Sequence, residues 1–121
     1  MIDNLFEQFR KNAKVHQDIN YADKASVRKG NKAVAKLFEL AEKIKDNGQI
    51  NEFAELLKDN QNKVDLWTAH ILLERLNVKD MLAKKALEVI KSYANSDDVN
   101  GYGEKLWLEQ WLKSVEKGTN Q

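Results

Sequence analysis

The sequence predicts an all-α protein of about six helices arranged as a short α-α superhelix, with a closed helical bundle as the alternative. Its 121 residues include no proline, and charged residues make up 32% of the chain. Both features favour helices with exposed faces of mixed sign. Two segments, 53–76 and 86–112, also share a design of apolar helical stretches joined by a polar turn. Such a repeat is typical of a solenoid, and solenoids usually bind other molecules.

Composition disfavours several function classes. Twenty basic and nineteen acidic side chains leave a net charge of +1, which provides no overall field for nucleic acid or an anionic membrane. The chain has no cysteine, so it contains neither disulfides nor thiolate metal sites. No stretch has the pattern of a signal peptide or a membrane span, and we expect a cytoplasmic protein. Length and even composition predict one domain over 1–121, with a disordered tail at about 118–121.

Helical periodicity predicts the first two helices at roughly 3–20 and 23–46. Asp3 is the expected cap of the first helix. Gly30 lies on the apolar stripe of the second, where its missing side chain permits close approach of a neighbouring helix. Asn47-Gly48 is the expected end of this helix. The apolar stripe of the second helix comprises Val27, Val34, Leu37, Phe38, Ala41 and Ile44.

The next hairpin consists of a short helix at about 50–58 and a longer one at about 63–77. Asn60 or Asn62 is expected to cap the longer helix. A second apolar strip on that helix, Val64 and Ile71, predicts contacts with two neighbours. Its core stripe comprises Leu66, Ala69, Leu72, Leu73 and Leu76.

The last two helices are predicted at about 79–95 and 104–117. A loop between them includes the polar run 95–98 and the segment 101–103, which reads Gly-Tyr-Gly. Gly118 is expected to end the last helix. The core side of that helix comprises Trp107, Leu108, Trp111, Leu112 and Val115.

The segment 56–76 resembles a HEAT-type unit: two leucines, a polar turn, then a valine opening an alanine- and leucine-rich helix. These are Leu56-Leu57, 59–63, Val64, Ala69 and Leu72-Leu73. With Gly30-Asn31 ahead of a long helix and Trp107-Leu108 near the end, most of the chain is similar to a small bacterial HEAT-like family, a domain of unknown function numbered twenty-nineteen. Typical units carry a turn proline and an arginine where this chain has Asp65. The resemblance implies an α-α superhelix and no catalytic residue.

The sequence offers little catalytic chemistry. It contains two histidines, far apart. His70 and Glu74 are one helical turn apart and are suitable metal ligands, but no third ligand is identified near them, and such pairs are ordinarily solvated. His16 is interpreted as a partly buried, hydrogen-bonded side chain. No serine has a nucleophile setting and no glycine-rich loop follows a strand. The prediction is a protein that is not an enzyme and needs no metal or cofactor.

One side of the fourth helix, away from its leucines, carries Lys63, Trp67, His70 and Glu74. A tryptophan ringed by charged residues has the composition of an interface hot spot. The competing interpretation is a Trp67 that packs on a neighbouring helix. These four residues, with the exposed face of the last helix, are the predicted partner-binding surface.

These inferences predict a non-catalytic protein-binding module. The favoured role is an immunity protein that neutralises a cognate bacterial toxin by direct binding and occlusion. One alternative is a structural or adaptor module that joins other proteins, including copies of itself. A less favoured one is a metal-dependent or small-ligand enzyme. Neither nucleic acid nor membrane is an expected partner.

Overall fold

A computed structural model describes residues 2–96 and 99–119, and within them the side chains of 5–96 and 101–114. The described ranges form six α-helices and two short 3₁₀ turns, Glu55–Lys58 and Gln61–Lys63. The all-α class is therefore confirmed, while the superhelical arrangement stays a prediction. No described helix is long and apolar enough to cross a membrane. The helices are α1 (Ile2–Gln17), α2 (Lys24–Asp46), α3 (Ile50–Ala54), α4 (Val64–Glu74), α5 (Asp80–Ala94) and α6 (Val99–Thr119).

Helices α1 and α2 form the first hairpin. Since α1 already begins at Ile2, the prediction of Asp3 as its cap is wrong, and the helix ends at Gln17 instead of near residue 20. Gly30 on α2 lies against Ile19, just after α1, and a β-carbon there would collide with the Ile19 side chain. The predicted close approach at Gly30 is confirmed, although the neighbour is a connecting residue and not a helix.

Helix α2 ends where the sequence predicts. Gly48 adopts a φ of 71°, a conformation that glycine reaches without steric cost. Its N–H donates to the Lys45 carbonyl oxygen (2.9 Å), and the Gln49 N–H donates to the Ile44 carbonyl oxygen (3.0 Å). These two bonds form a Schellman cap, which pairs carbonyl groups that the helix leaves free.

Helix α4 is at the centre of the fold, in contact with α1, α3 and α5. Its predicted core stripe is buried throughout, and so is its second strip, Val64 and Ile71. Two polar side chains are buried as well. The Thr68 hydroxyl donates to the Val64 carbonyl oxygen (2.8 Å), and Asp65 faces α5. A helix covered on several sides needs more than one apolar strip, as the sequence indicates.

The N-terminus of α4 differs from the prediction. Neither Asn60 nor Asn62 caps the helix, because the preceding residue is Lys63, held with Asn62 in the left-handed region at φ values of 58° and 53°. The Asp65 N–H instead donates to the backbone carbonyl of Asp59 (2.8 Å). The tight turn places the Lys63 side chain beside the first turn of α4.

A buried hydrogen bond joins α4 to α5. The Tyr93 hydroxyl donates to Asp65 Oδ1 at 2.7 Å. Burial raises the pKa of Asp65 even though this bond and the Leu66 N–H favour its charged form. Burial, together with the Asp65 carboxylate, also raises the pKa of Tyr93. Asp65 therefore helps to pack α4 against α5.

Helix α6 corrects two predictions, one at each of its ends. It begins at Val99, so the segment 101–103 is helical and not a loop. Gly101 is buried, and a β-carbon there would collide with the carbonyl oxygen of Ser96, so the glycine serves close packing. The helix also continues through Gly118 to Thr119, so Gly118 does not end it. Residues 97, 98, 120 and 121, from the predicted loop and tail, lie outside the described residues, as does the side chain of Val115.

The core side of α6 is only partly as predicted. Trp107, Leu108 and Trp111 pack against the core and are half-buried, whereas Leu112 is 48% exposed. Helix α6 packs mainly on α5, and it contacts α4 through the side chains of Glu104 and Trp107. The half-buried tryptophans leave part of their rings at the surface beside α4, where the candidate site is found.

Candidate functional site

An open groove of about 320 Å³ runs along one side of α4. It contains all four residues of the predicted partner-binding surface. Other helices complete it, with side chains from the end of α1, from α2 and from α6. We call it the central groove, and its lining residues are His16, Gln17, Phe38, Lys63, Leu66, Trp67, His70, Glu74, Glu104 and Trp107.

Trp67 occupies the middle of the α4 side and packs towards α1 and α2. Its ring meets His16 edge to face, with centroids 5.1 Å apart, and Phe38 at 6.5 Å. The Arg75 guanidinium lies 4.4 Å above the Phe38 ring, a favourable cation-π distance. Trp67 is half-buried, so it packs on neighbouring elements and also lines the groove.

His70 faces α6 one turn further on. Its Nε2 is 2.7 Å from Glu104 Oε1, and its Nδ1 is 3.2 Å from Glu74 Oε2. The ring also contacts Trp107 edge to face at 4.4 Å, and Trp107 stacks on Trp111 at 5.2 Å. Trp107 Nε1 donates to the other oxygen of Glu74 at 3.4 Å. A chain of hydrogen bonds therefore connects α4 to α6.

Two carboxylates lie at the edges of the His70 ring. Each ring nitrogen has one carboxylate oxygen within hydrogen-bond distance, and a neutral imidazole has one N–H and can donate to one acceptor only. Both His70 and Glu104 are largely buried, with side chains 19% and 18% exposed. Burial strengthens the hydrogen bond between them because water competes for it less.

This arrangement does not bring metal ligands together. Glu74 and Glu104 approach different nitrogens of His70, on opposite edges of the ring. A metal ion needs its ligands to converge on one point. Among the described residues, no three side chains of His, Asp or Glu are placed to hold an ion. The candidate pair from the sequence, His70 and Glu74, is a hydrogen-bonded pair.

Charge is distributed unevenly along the groove. Lys63 and His16 are at one end, where burial and then the Lys63 charge lower the pKa of His16 and favour its neutral form. Glu74 and Glu104 are at the other end. Eleven residues separate Lys63 from Glu74, about 16 Å along a helix. The groove thus has a basic end, an aromatic middle and an end with two carboxylates.

Sequence reasoning names the residues on the α4 side of the groove, but for α6 it predicts only an exposed face without naming residues, and it omits the α1 and α2 side. Phe38 and Trp107 are assigned there to the core, His16 to an internal hydrogen bond, and Glu104 to no site. A local signal does exist on α6, where Glu104 and Trp107 are three residues apart and share a helical face. Which helix faces them depends on long-range packing, which periodicity does not specify.

No protein-family model matches the chain, and comparisons with curated proteins and with solved structures give no match either. The HEAT-like resemblance stays a prediction. The function proposed below depends on the geometry of the groove.

Proposed function

We propose that this chain is a non-catalytic protein-binding module whose central groove takes a segment of another protein. The observation that carries the proposal is the convergence of Lys63, Trp67, His70 and Glu74 on one open groove with an aromatic floor. Tryptophan at the centre of a partly desolvated surface, with charged residues around it, is the usual composition of an interface hot spot.

The walls of the groove also support this role because they are already formed. Ring packing holds Trp67, and two hydrogen bonds hold His70. Among the described residues, no fully buried side-chain nitrogen or oxygen lacks a hydrogen-bond partner. A partner would therefore meet a preorganised surface and lose little free energy to ordering it.

The same contacts favour recognition over catalysis. A catalytic histidine needs a ring nitrogen that can reach a substrate proton. Both nitrogens of His70 are engaged by carboxylates, and the pKa of His16 is lowered, with its ring packed on Trp67. The groove therefore presents shape, aromatic surface and charge.

Within this class we favour an immunity protein that neutralises a cognate bacterial toxin by occlusion. Support comes from the size of the domain and from the preformed groove along one face of its central helix. A compact, rigid inhibitor that covers an active site or a target-binding face needs no chemistry of its own. Near-neutral net charge suits a toxin that is not strongly basic.

The test is binding to the toxin encoded by a neighbouring gene. We expect the wild-type chain to bind it and to block its activity, and Trp67→Ala to weaken binding about 30-fold or more, which corresponds to about 2 kcal/mol. Met81→Ala is the matched control, because Met81 is a large apolar residue on α5, 63% exposed and outside the groove.

Two results would contradict the proposal. Full affinity in Trp67→Ala, measured by calorimetry on a variant with an unchanged circular dichroism spectrum, would place the interface elsewhere. Toxin activity that the wild-type chain leaves untouched would remove the immunity role.

A further inference from the structure

The basic end of the central groove contains the ammonium group of Lys63. Lys63 is half-buried, and no carboxylate among the described side chains lies within ion-pair distance of it. His16 lines the same end of the groove, and the charge of Lys63 lowers the pKa of His16 after the larger effect of burial. A partly buried ammonium group normally has an anionic partner, because burial without one is costly.

The turn before α4 fixes this charge in place. Asn62 and Lys63 both have positive φ, a conformation that is strained for a lysine. Positive-φ positions favour asparagine or glycine, and here one of them is a lysine whose side chain lines the groove. The surrounding structure compensates for this strain, and the turn keeps the Lys63 side chain in the groove lining.

The opposite end has the opposite preference. Glu74 and Glu104 lie there, so two carboxyl groups face the groove beside one imidazole ring, that of His70. An acidic group of a partner is therefore attracted to the Lys63 end and repelled from the other. This difference sets the direction in which an extended segment enters.

The spacing of Lys63 and Trp67 indicates which positions of a partner segment they contact. Lys63 and Trp67 are four residues apart, about 6 Å along a helix. In an extended segment, side chains at i and i+2 point the same way and are about 6.6 Å apart. A partner segment lying along α4 therefore faces Lys63 and Trp67 with residues two positions apart.

We propose that the central groove recognises an extended segment of its partner in which an acidic residue and a large apolar residue are separated by one residue. The acidic side chain pairs with Lys63, and the apolar side chain covers Trp67. This inference rests on the proposed function and adds the chemistry and the spacing of the ligand.

The test is selection from a displayed library of random peptides against the wild-type chain, Lys63→Asn, Trp67→Ala and Lys84→Asn. Asparagine tolerates the left-handed conformation, so Lys63→Asn removes the charge while preserving the turn. Lys84→Asn is the matched control, since it removes the same charge from an exposed site on α5. We expect the wild-type chain and Lys84→Asn to enrich the acid–x–apolar pattern.

With Lys63→Asn, we expect the acidic residue to disappear from the enriched peptides while the apolar residue remains. A selected acidic peptide should bind this variant about tenfold more weakly than the wild-type chain. Trp67→Ala should enrich no such pattern. An unchanged acidic preference in Lys63→Asn would overturn the inference and leave the groove as the binding site.

Failure of the proposed function has a different signature. If Trp67→Ala enriches the same peptides as the wild-type chain, the groove is not where they bind. If the wild-type chain enriches nothing but binds the neighbouring toxin through Trp67, the groove binds a folded surface, and the inference of an extended segment is overturned.

Discussion

On the α1 and α2 side of the central groove, Trp67 is held by ring packing against His16 and Phe38, whereas on the α6 side His70 is held by hydrogen bonds to Glu74 and Glu104. Packing between rings has a preferred geometry, but it consists of many weak atom contacts, so its energy changes gradually when a ring moves. A buried hydrogen bond loses most of its value when one partner is removed, because the other is left unpaired. The α6 side should therefore be the more sensitive to substitution.

The largest effect is expected from His70→Leu. Leucine fills most of the space, but the largely buried Glu104 carboxylate loses its 2.7 Å donor, and Glu74 loses its 3.2 Å partner. We expect a loss of about 2–3 kcal/mol in the free energy of unfolding, measured by urea denaturation. Phe38→Leu is the comparison on the other side and should cost about 1 kcal/mol. Equal losses would contradict the difference between the two sides.

Two glycine substitutions test the same difference between the α6 side and the α1 and α2 side of the central groove. At Gly101, an alanine β-carbon would meet the backbone carbonyl of Ser96, which cannot move without displacing α6. At Gly30 it would meet the flexible end of the Ile19 side chain, which can rotate away. We expect Gly101→Ala to destabilise the protein by about 1–2 kcal/mol, even after the gain in helix propensity.

For Gly30→Ala the two contributions should nearly cancel, leaving a change within about 0.5 kcal/mol. Thermal unfolding followed by circular dichroism measures both variants. A larger loss at Gly30 than at Gly101 would show that the α1 and α2 side is the more tightly constrained.

The smallest expected effect is on how the stability of the protein depends on pH. Burial and Lys63 lower the pKa of His16 in the folded state, so the unfolded chain takes up a proton first as the pH falls below about 6.5. The stability that a neutral His16 contributes is therefore present above that pH and is lost as the pH falls through it. Between pH 7.5 and 5.5, the wild-type chain should lose more stability than His16→Gln. Equal losses would show that His16 is not the group responsible.

More of the fold than of the candidate site can be predicted from the sequence. The spacing of Leu66, Leu72 and Leu76 predicts a core stripe because burial imposes a helical period, and all three are buried. Prediction from the sequence fails at Gly101, because glycine is common in loops and also permits close packing within a helix. It also fails at Lys63, where a backbone carbonyl and a left-handed turn replace the expected asparagine cap.

For the candidate site, helical periodicity predicts only the residues that a single helix, α4, contributes. Lys63, Trp67, His70 and Glu74 share one side of α4 and can be grouped without knowing what faces them. Glu104 enters the site only through its contact with His70, 34 residues earlier in the chain. That pairing follows from how α4, α5 and α6 pack together, which local patterns do not encode.

The central claim is that a partner occupies the groove, and the absence of cysteine from the chain permits a direct measurement. Gln17→Cys places a unique thiol on the groove lining, and Met81→Cys places one on an exposed position of α5. With the neighbouring toxin bound, alkylation of the thiol at position 17 should slow about tenfold or more while that at position 81 proceeds unchanged. Equal alkylation of the thiol at position 17 in the free and bound protein would contradict the account.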